Sequence, residues 1–279
     1  MDLIAPNWLD ILTSDFMKRA FVAGTLVAIT AGIVGYFIIL RRLVFASHAL
    51  AHIGFPGATA AALLGISVTW GLGVFCISGA IAIAILGRRA EREVATGSIL
   101  AFATALGLLF ANLGTGQTNL ITNVLFGNLL AVSRDQIYAY AIFTAVLILV
   151  LAAISRPLLY SSVSPDLAAA RGAPDRALSG AFMVTAALAI TMAVPFVGTL
   201  LIFALLVTPA AAAIAITANP PKTVALSVAF ALLSVWLGLF CSVLFDLSAS
   251  FFIVAISFSA WLIATQTTGR RARISPSAA

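Results

Sequence analysis

Between residues 20 and 269 the chain holds seven stretches of 20 or more residues without a single Asp, Glu, Lys or Arg: 20–40, 43–87, 94–133, 136–155, 177–221, 223–245 and 247–269. Their lengths are 21, 45, 40, 20, 45, 23 and 23 residues. About 20 apolar residues suffice for a helix to cross the hydrocarbon layer of a bilayer, so each stretch is long enough for at least one crossing. Only 24 of 279 residues are charged and 62% are hydrophobic. A soluble domain uses about 25% charged residues to build an aqueous surface. The composition therefore excludes soluble enzymes, secreted modules and disordered chains, and predicts an all-α polytopic transmembrane bundle forming a single domain over residues 1–279.

Each 45-residue stretch is expected to hold two spans joined by a tight turn. The 40-residue stretch is expected to hold one, Ala95 to Leu113, because Gly114 to Asn128 reads GTGQTNLITNVLFGN and is too polar and Gly-rich to face lipid. The total is eight to nine spans. With nine, and the N-terminus outside, twelve of the fifteen basic residues fall on the cytoplasmic side, leaving Lys18, Arg19 and Arg134 as exceptions. That is the positive-inside arrangement of an inner (plasma) membrane protein, and it places the basic tail 269–279, GRRARISPSAA, in the cytoplasm. Residues 1–15 show no cleavable signal. Trp8, Leu9, Ile11, Leu12 and Phe16 can share one helical face, so Asn7 to Phe16 is expected to be a short helix lying at the lipid interface.

The net charge of +6 comes as short clusters between apolar runs. A nucleic-acid surface needs a continuous basic patch, so nucleic acid is not an expected partner. Cys76 and Cys241 lie far apart in apolar segments and are expected to be packing residues.

Ionisable groups inside spans are costly and become functional candidates. The only two histidines, His48 and His52, are four residues apart, which puts both rings on one helical face. Neutral imidazoles suit a borderline-soft divalent cation such as Zn²⁺. His52 stands ten residues after Arg42, about 15 Å along a helix and so near the midplane. Zinc peptidases with the same spacing place Glu directly after the first His, but Ala49 stands there, so a protease is not expected. Two imidazoles leave a four-coordinate ion short of ligands, and a homodimer with the pathway on its two-fold axis would supply two more.

The longest polar connection, residues 161–177 (SSVSPDLAAARGAPDRA), carries helix punctuation. Ser164 suits the N-cap, Pro165 the first helical position and Asp166 the positive helix end, while Leu167 to Arg171, through Ala170, make about two turns before Gly172 as C-terminal cap. A short stiff helix outside the membrane is a docking lever. Lys222-Thr223 follows Pro220 and Pro221 rather than glycine, so there is no phosphate loop and any ATP hydrolysis belongs to another chain. The chain itself is not expected to be an enzyme. Pro195, Gly198 and Pro209 interrupt a small-residue apolar run, as in broken helices that line pathways. Asp246, isolated between late spans, is placed in an outer loop with a weak metal-entry role.

Taken together these residues resemble the membrane permease subunits of ABC importers for zinc, manganese and iron. The likeness rests on RRLVFASHALAHIGFPG (Arg41 to Gly57), LFGNLLAVSRD (Leu125 to Asp135), SPDLAAARGAP (Ser164 to Pro174) and VGTLLIFALLVTPAAAA (Val197 to Ala213), and extends from about residue 16 to 268. The family usually has Asp four residues before the motif's histidine, so His52 matches that histidine and His48 replaces the Asp. LFDLSASFFIV (Leu244 to Val254) departs from the family's Pro-Gly-rich turn.

The resemblance implies the fold of the vitamin and metal-chelate importer permeases, a permease homodimer, two cytoplasmic ABC ATPase subunits that dock on Ser164 to Gly172, and an extracytoplasmic metal-binding protein. Transported Zn²⁺ or Mn²⁺ is the cargo, and no cofactor is bound permanently. A second imidazole in place of a carboxylate makes the site softer and favours zinc, with manganese second. The alternatives are a channel or secondary transporter without an ATPase, which would call for more membrane carboxylates, and a permease for a metal chelate, which would not need convergent imidazoles.

Overall fold

The computed structural model describes residues 8–87, 92–114, 118–129, 132–163 and 175–274. Each of the seven charge-free stretches contributes at least one helix. In chain order the helices are α1 (Trp8–Thr13), α2 (Asp15–Leu40), α3 (Val44–Leu63), α4 (Val68–Leu86), α5 (Arg92–Leu113), α6 (Thr118–Phe126), α7 (Arg134–Val163), α8 (Asp175–Val197), α9 (Thr199–Ile216), α10 (Pro220–Phe245) and α11 (Ala249–Ile274). No strand occurs among the described residues.

The helix ends follow local chemistry. Asp15 and Asp135 lie in the first turns of α2 and α7, where a carboxylate meets the positive end of the helix dipole. Ser133 and Gln136 form a reciprocal capping box on α7: the Gln136 N–H donates to Ser133 Oγ (3.2 Å) and the Ser133 N–H to Gln136 Oε1 (2.9 Å). Pro220 opens α10, where its missing N–H costs nothing. Asp246 ends the same helix in the left-handed region (φ 51°), its N–H returning to the Ser242 carbonyl.

The chain divides into two compact units. One gathers Met1–Ile39, Leu129–Tyr138 and Phe203–Ala279. Within it the buried Ser227 hydroxyl donates to the Gly32 carbonyl (2.7 Å), and Trp236 Nε1 donates to Thr25 Oγ1 (2.9 Å), joining α10 to α2. Trp8 packs edge-on against Phe240, so α1 rests on α10.

The other unit comprises Leu40–Asn128 and Ala139–Ile202. Its centre is α3, which packs against α4, α5 and α8. Small residues permit this: Ala46, Ala49, Ala51, Ala58 and Ala61 are all buried. Gly57 and Gly71 bring the α3 and α4 backbones together, since a Cβ on either would collide with the carbonyl oxygen of the other. Without a hydrophobic drive between helices in lipid, such close packing is what holds them together.

Seven described helices are long and apolar enough to cross a membrane: all but α1, α3, α6 and α9. The eight-to-nine count from charge-free intervals adds α3 and α9. α3 has 20 residues, but His48, His52 and other polar groups keep it out of the apolar set, while the apolar part of α9, Leu201–Ile216, is short. Two local expectations also change. Phe16 belongs to α2 rather than to the first short helix. Part of the expected loop 114–128 is α6, whose Ile121, Val124 and Leu125 are spaced to face one side; Val124 is buried.

Candidate metal site

α3 begins just after a sharp turn at Arg41 and Arg42, with Arg42 in the left-handed region (φ 56°). The Ser47 hydroxyl donates to the Val44 carbonyl (2.8 Å) in the first helical turn. One turn on, His48 and His52 stand half-buried, with ring centroids 4.8 Å apart and planes at 72°. The expected pairing of the two rings is therefore realised. Flanking Ala49, Leu50, Ala51 and Ile53 are buried, which anchors the opposite faces of the helix and fixes which way the imidazoles project.

Two further features hold this turn. The buried Cys76 thiol of α4 donates to the Leu50 carbonyl (3.4 Å). Pro56, inside α3, has no N–H to give to the carbonyl of His52 four residues earlier. The His52 carbonyl therefore lacks its usual i+4 helical donor. The motif FPG at 55–57 gave this signal in the sequence, through the missing donor at i+4, although only the histidines were singled out there.

Among the described residues no group of three or more His, Cys, Asp or Glu comes together. Among the described residues two imidazoles thus come together at one place, short of the four ligands of a closed tetrahedral shell.

The remaining residues singled out in the sequence are placed as follows. Ser164, Pro165, Asp166, Leu167, Ala170, Arg171 and Gly172 lie outside the described residues. Gly198 does break the helical run, between α8 and α9, at φ 89°. It sits back to back with Gly127 (φ 75°), which follows α6: a Cβ on Gly127 would strike the Phe196 carbonyl, and one on Gly198 the Leu125 carbonyl. The Asn128 N–H donates to the carbonyl of Pro195 (3.1 Å), so Pro195 takes part in the same junction. Pro209 lies within α9. Asp246 is exposed and serves as the α10 cap.

Seven helices long and apolar enough to cross a membrane describe a polytopic membrane protein. The chain belongs to the ABC 3 transport family, whose model matches residues 13–268. It is similar to the manganese transport system membrane protein MntC of Halalkalibacterium halodurans, with 30% identity over 91% of this chain and 88% of that protein. Among solved structures it is similar to PsaBC from Streptococcus pneumoniae in complex with Fab, with a TM-score of 0.82, 31% identity, and coverage of 92% of this chain and 94% of that one. The fold also matches an inward-facing conformation of a putative metal-chelate type ABC transporter (TM-score 0.65, 17% identity, 98% and 93% coverage).

Proposed function

We propose that this chain is the transmembrane permease of an ATP-driven importer of a divalent transition metal, with His48 and His52 as ligands that the cargo meets on its way. The observation that carries the reading is the histidine pair on α3, centred in its unit, in a chain of an ABC transport family. A pair of neutral imidazoles binds a borderline-soft ion yet leaves it exchangeable, which suits transit better than storage. Family membership takes the place of the channel reading.

Zinc and manganese are the two cargoes to distinguish. The two imidazoles support zinc. Manganese has equal standing because a relative at 30% identity carries it by name.

In this reading α3 and α9 are embedded along with the seven long apolar helices, giving nine spans with the N-terminus outside and the C-terminus in the cytoplasm. Two copies of the chain complete the metal's ligand shell. Separate ATPase subunits dock on Ser164 to Gly172, an extracytoplasmic binding protein delivers the ion, and lipid surrounds the outer helices. Pro195, Gly198 and Pro209 shape the pathway, and Asp246 stands at its outer end.

The deciding experiment measures cellular zinc and manganese by elemental mass spectrometry in a host without its own importers, co-expressing this chain with its ATPase and binding protein. The expected result is accumulation of one metal that requires ATP hydrolysis and collapses in His48→Ala/His52→Ala at unchanged protein level. Accumulation that persists without the histidines removes the metal site; accumulation that persists without the ATPase removes the importer.

A further inference from the structure

Arg41 is the first residue after α2 and lies three positions before α3. Its guanidinium forks. Nη1 donates to Ser161 Oγ (2.7 Å), near the end of α7, and Nη2 donates to Ser179 Oγ (2.5 Å), near the start of α8. Both serines are buried, at 2% and 9% exposure. The Ser161 hydroxyl spends its own proton on the Leu158 carbonyl, which leaves its lone pairs for the arginine. Arg41, Ser161 and Ser179 all belong to the unit that contains His48 and His52.

A planar guanidinium holding two hydroxyls from different helices fixes both in register with the turn that carries it. Here that turn is the start of the histidine helix. α7 and α8 are the two helices on either side of residues 164–174, the stretch to which the preceding section assigns ATPase docking. A displacement applied there has to pass through the ends of α7 and α8, and Arg41 connects both ends to the base of α3.

We propose that Arg41 is a positioning residue for transport: its guanidinium, bound to Ser161 and Ser179, makes α3 move with the adjoining ends of α7 and α8. The histidine helix is thereby coupled to ATP hydrolysis. This rests on the reading of residues 164–174 as the docking segment. The competing role for an arginine at this place is to orient the span by its positive charge, and Lys serves that role equally well. Lys carries its donors on a single nitrogen and lacks the rigid two-nitrogen fork that holds Ser161 through Nη1 and Ser179 through Nη2.

The test reconstitutes the permease with its ATPase and binding protein in proteoliposomes and measures metal moved per ATP hydrolysed. The variants are Arg41→Lys, Ser161→Ala/Ser179→Ala and Leu167→Asp. In Arg41→Lys and the double serine variant, assembly and hydrolysis are expected to stay within about twofold while metal per ATP falls about tenfold, the scale of one lost charge-assisted hydrogen bond. A ratio unchanged from the parent in both overturns the proposal. Should Arg41→Lys fail to assemble, the double serine variant decides alone: a lowered ratio supports the coupling role and an unchanged one overturns it. Leu167→Asp separates the two layers. Loss of assembly there upholds the docking segment, whereas intact assembly and hydrolysis removes that reading together with the coupling built on it.

Discussion

α8 and α7 lie on either side of residues 164–174 and are both strongly apolar, yet they live in different surroundings. Of the apolar stretch in α8, 72% is buried, against 22% in α7. Mean hydropathy does not explain this, since α7 is the more apolar of the two (2.6 against 2.0). Residue size does. α8 buries Ala186, Ala187, Ala189 and Ala193 alongside Phe182 and Ile190, while α7 turns Tyr138, Ile142 and Leu149 outward and keeps a narrow inner edge of Leu147, Leu151 and Leu158. In lipid, where large aliphatic side chains are at home, small residues mark the face that meets another helix. α3 shares the inner character of α8, with most of its residues buried, and α5 the outer character of α7.

This contrast sets the size of the expected substitution effects. Phe182→Ala, at a fully buried α8 position, should cost about 4 kcal/mol through the cavity it leaves. A heat challenge in detergent followed by size-exclusion chromatography will read this as a large drop in the midpoint. Gly57→Val should cost about 3 kcal/mol, because the new side chain would enter the Gly71 backbone of α4. Equilibrium unfolding in mixed micelles checks it, and a parental midpoint would mean that α3 and α4 are not in backbone contact. His48→Ala/His52→Ala should leave that midpoint close to the parent's but lower metal uptake about 100-fold, equivalent to about 2.7 kcal/mol of binding. Ser133→Ala removes one arm of the α7 capping box and should cost about 1 kcal/mol, visible as faster hydrogen exchange in the first turn. Leu149→Ala, on the outer face of α7, should stay within about 0.5 kcal/mol. A cost there equal to that of Phe182→Ala would erase the distinction between inner and outer helices.

Charge-free intervals revealed the helices well, because the membrane forbids ionised groups over the same lengths that helices need. They were less informative about α3, where polarity and embedding pull in opposite directions: the histidines that make it a candidate site also lower its hydropathy below that of its neighbours. The His48/His52 pairing was visible from spacing alone, since i, i+4 fixes a shared face on any helix. The role of Arg41 was not. Read along the chain it is one more positive charge after a span, and its partners Ser161 and Ser179 lie more than a hundred residues away. The helix α6 was hidden for another reason: its polar residues and the glycines that flank it at 114, 116 and 127 announce a loop, while a short amphipathic spacing is enough for two turns once α3 and α8 lie beside it.

The back-to-back junction of Gly127 and Gly198 has an evolutionary consequence. Each position must have a positive φ and no side chain, and each requires the latter because of the other's backbone. A change at one therefore cannot be rescued by a change at the other, as large-for-small exchanges in an ordinary core often can. The two sites behave as a lock without a spare key, so a side chain at either is excluded whatever residue stands at the other.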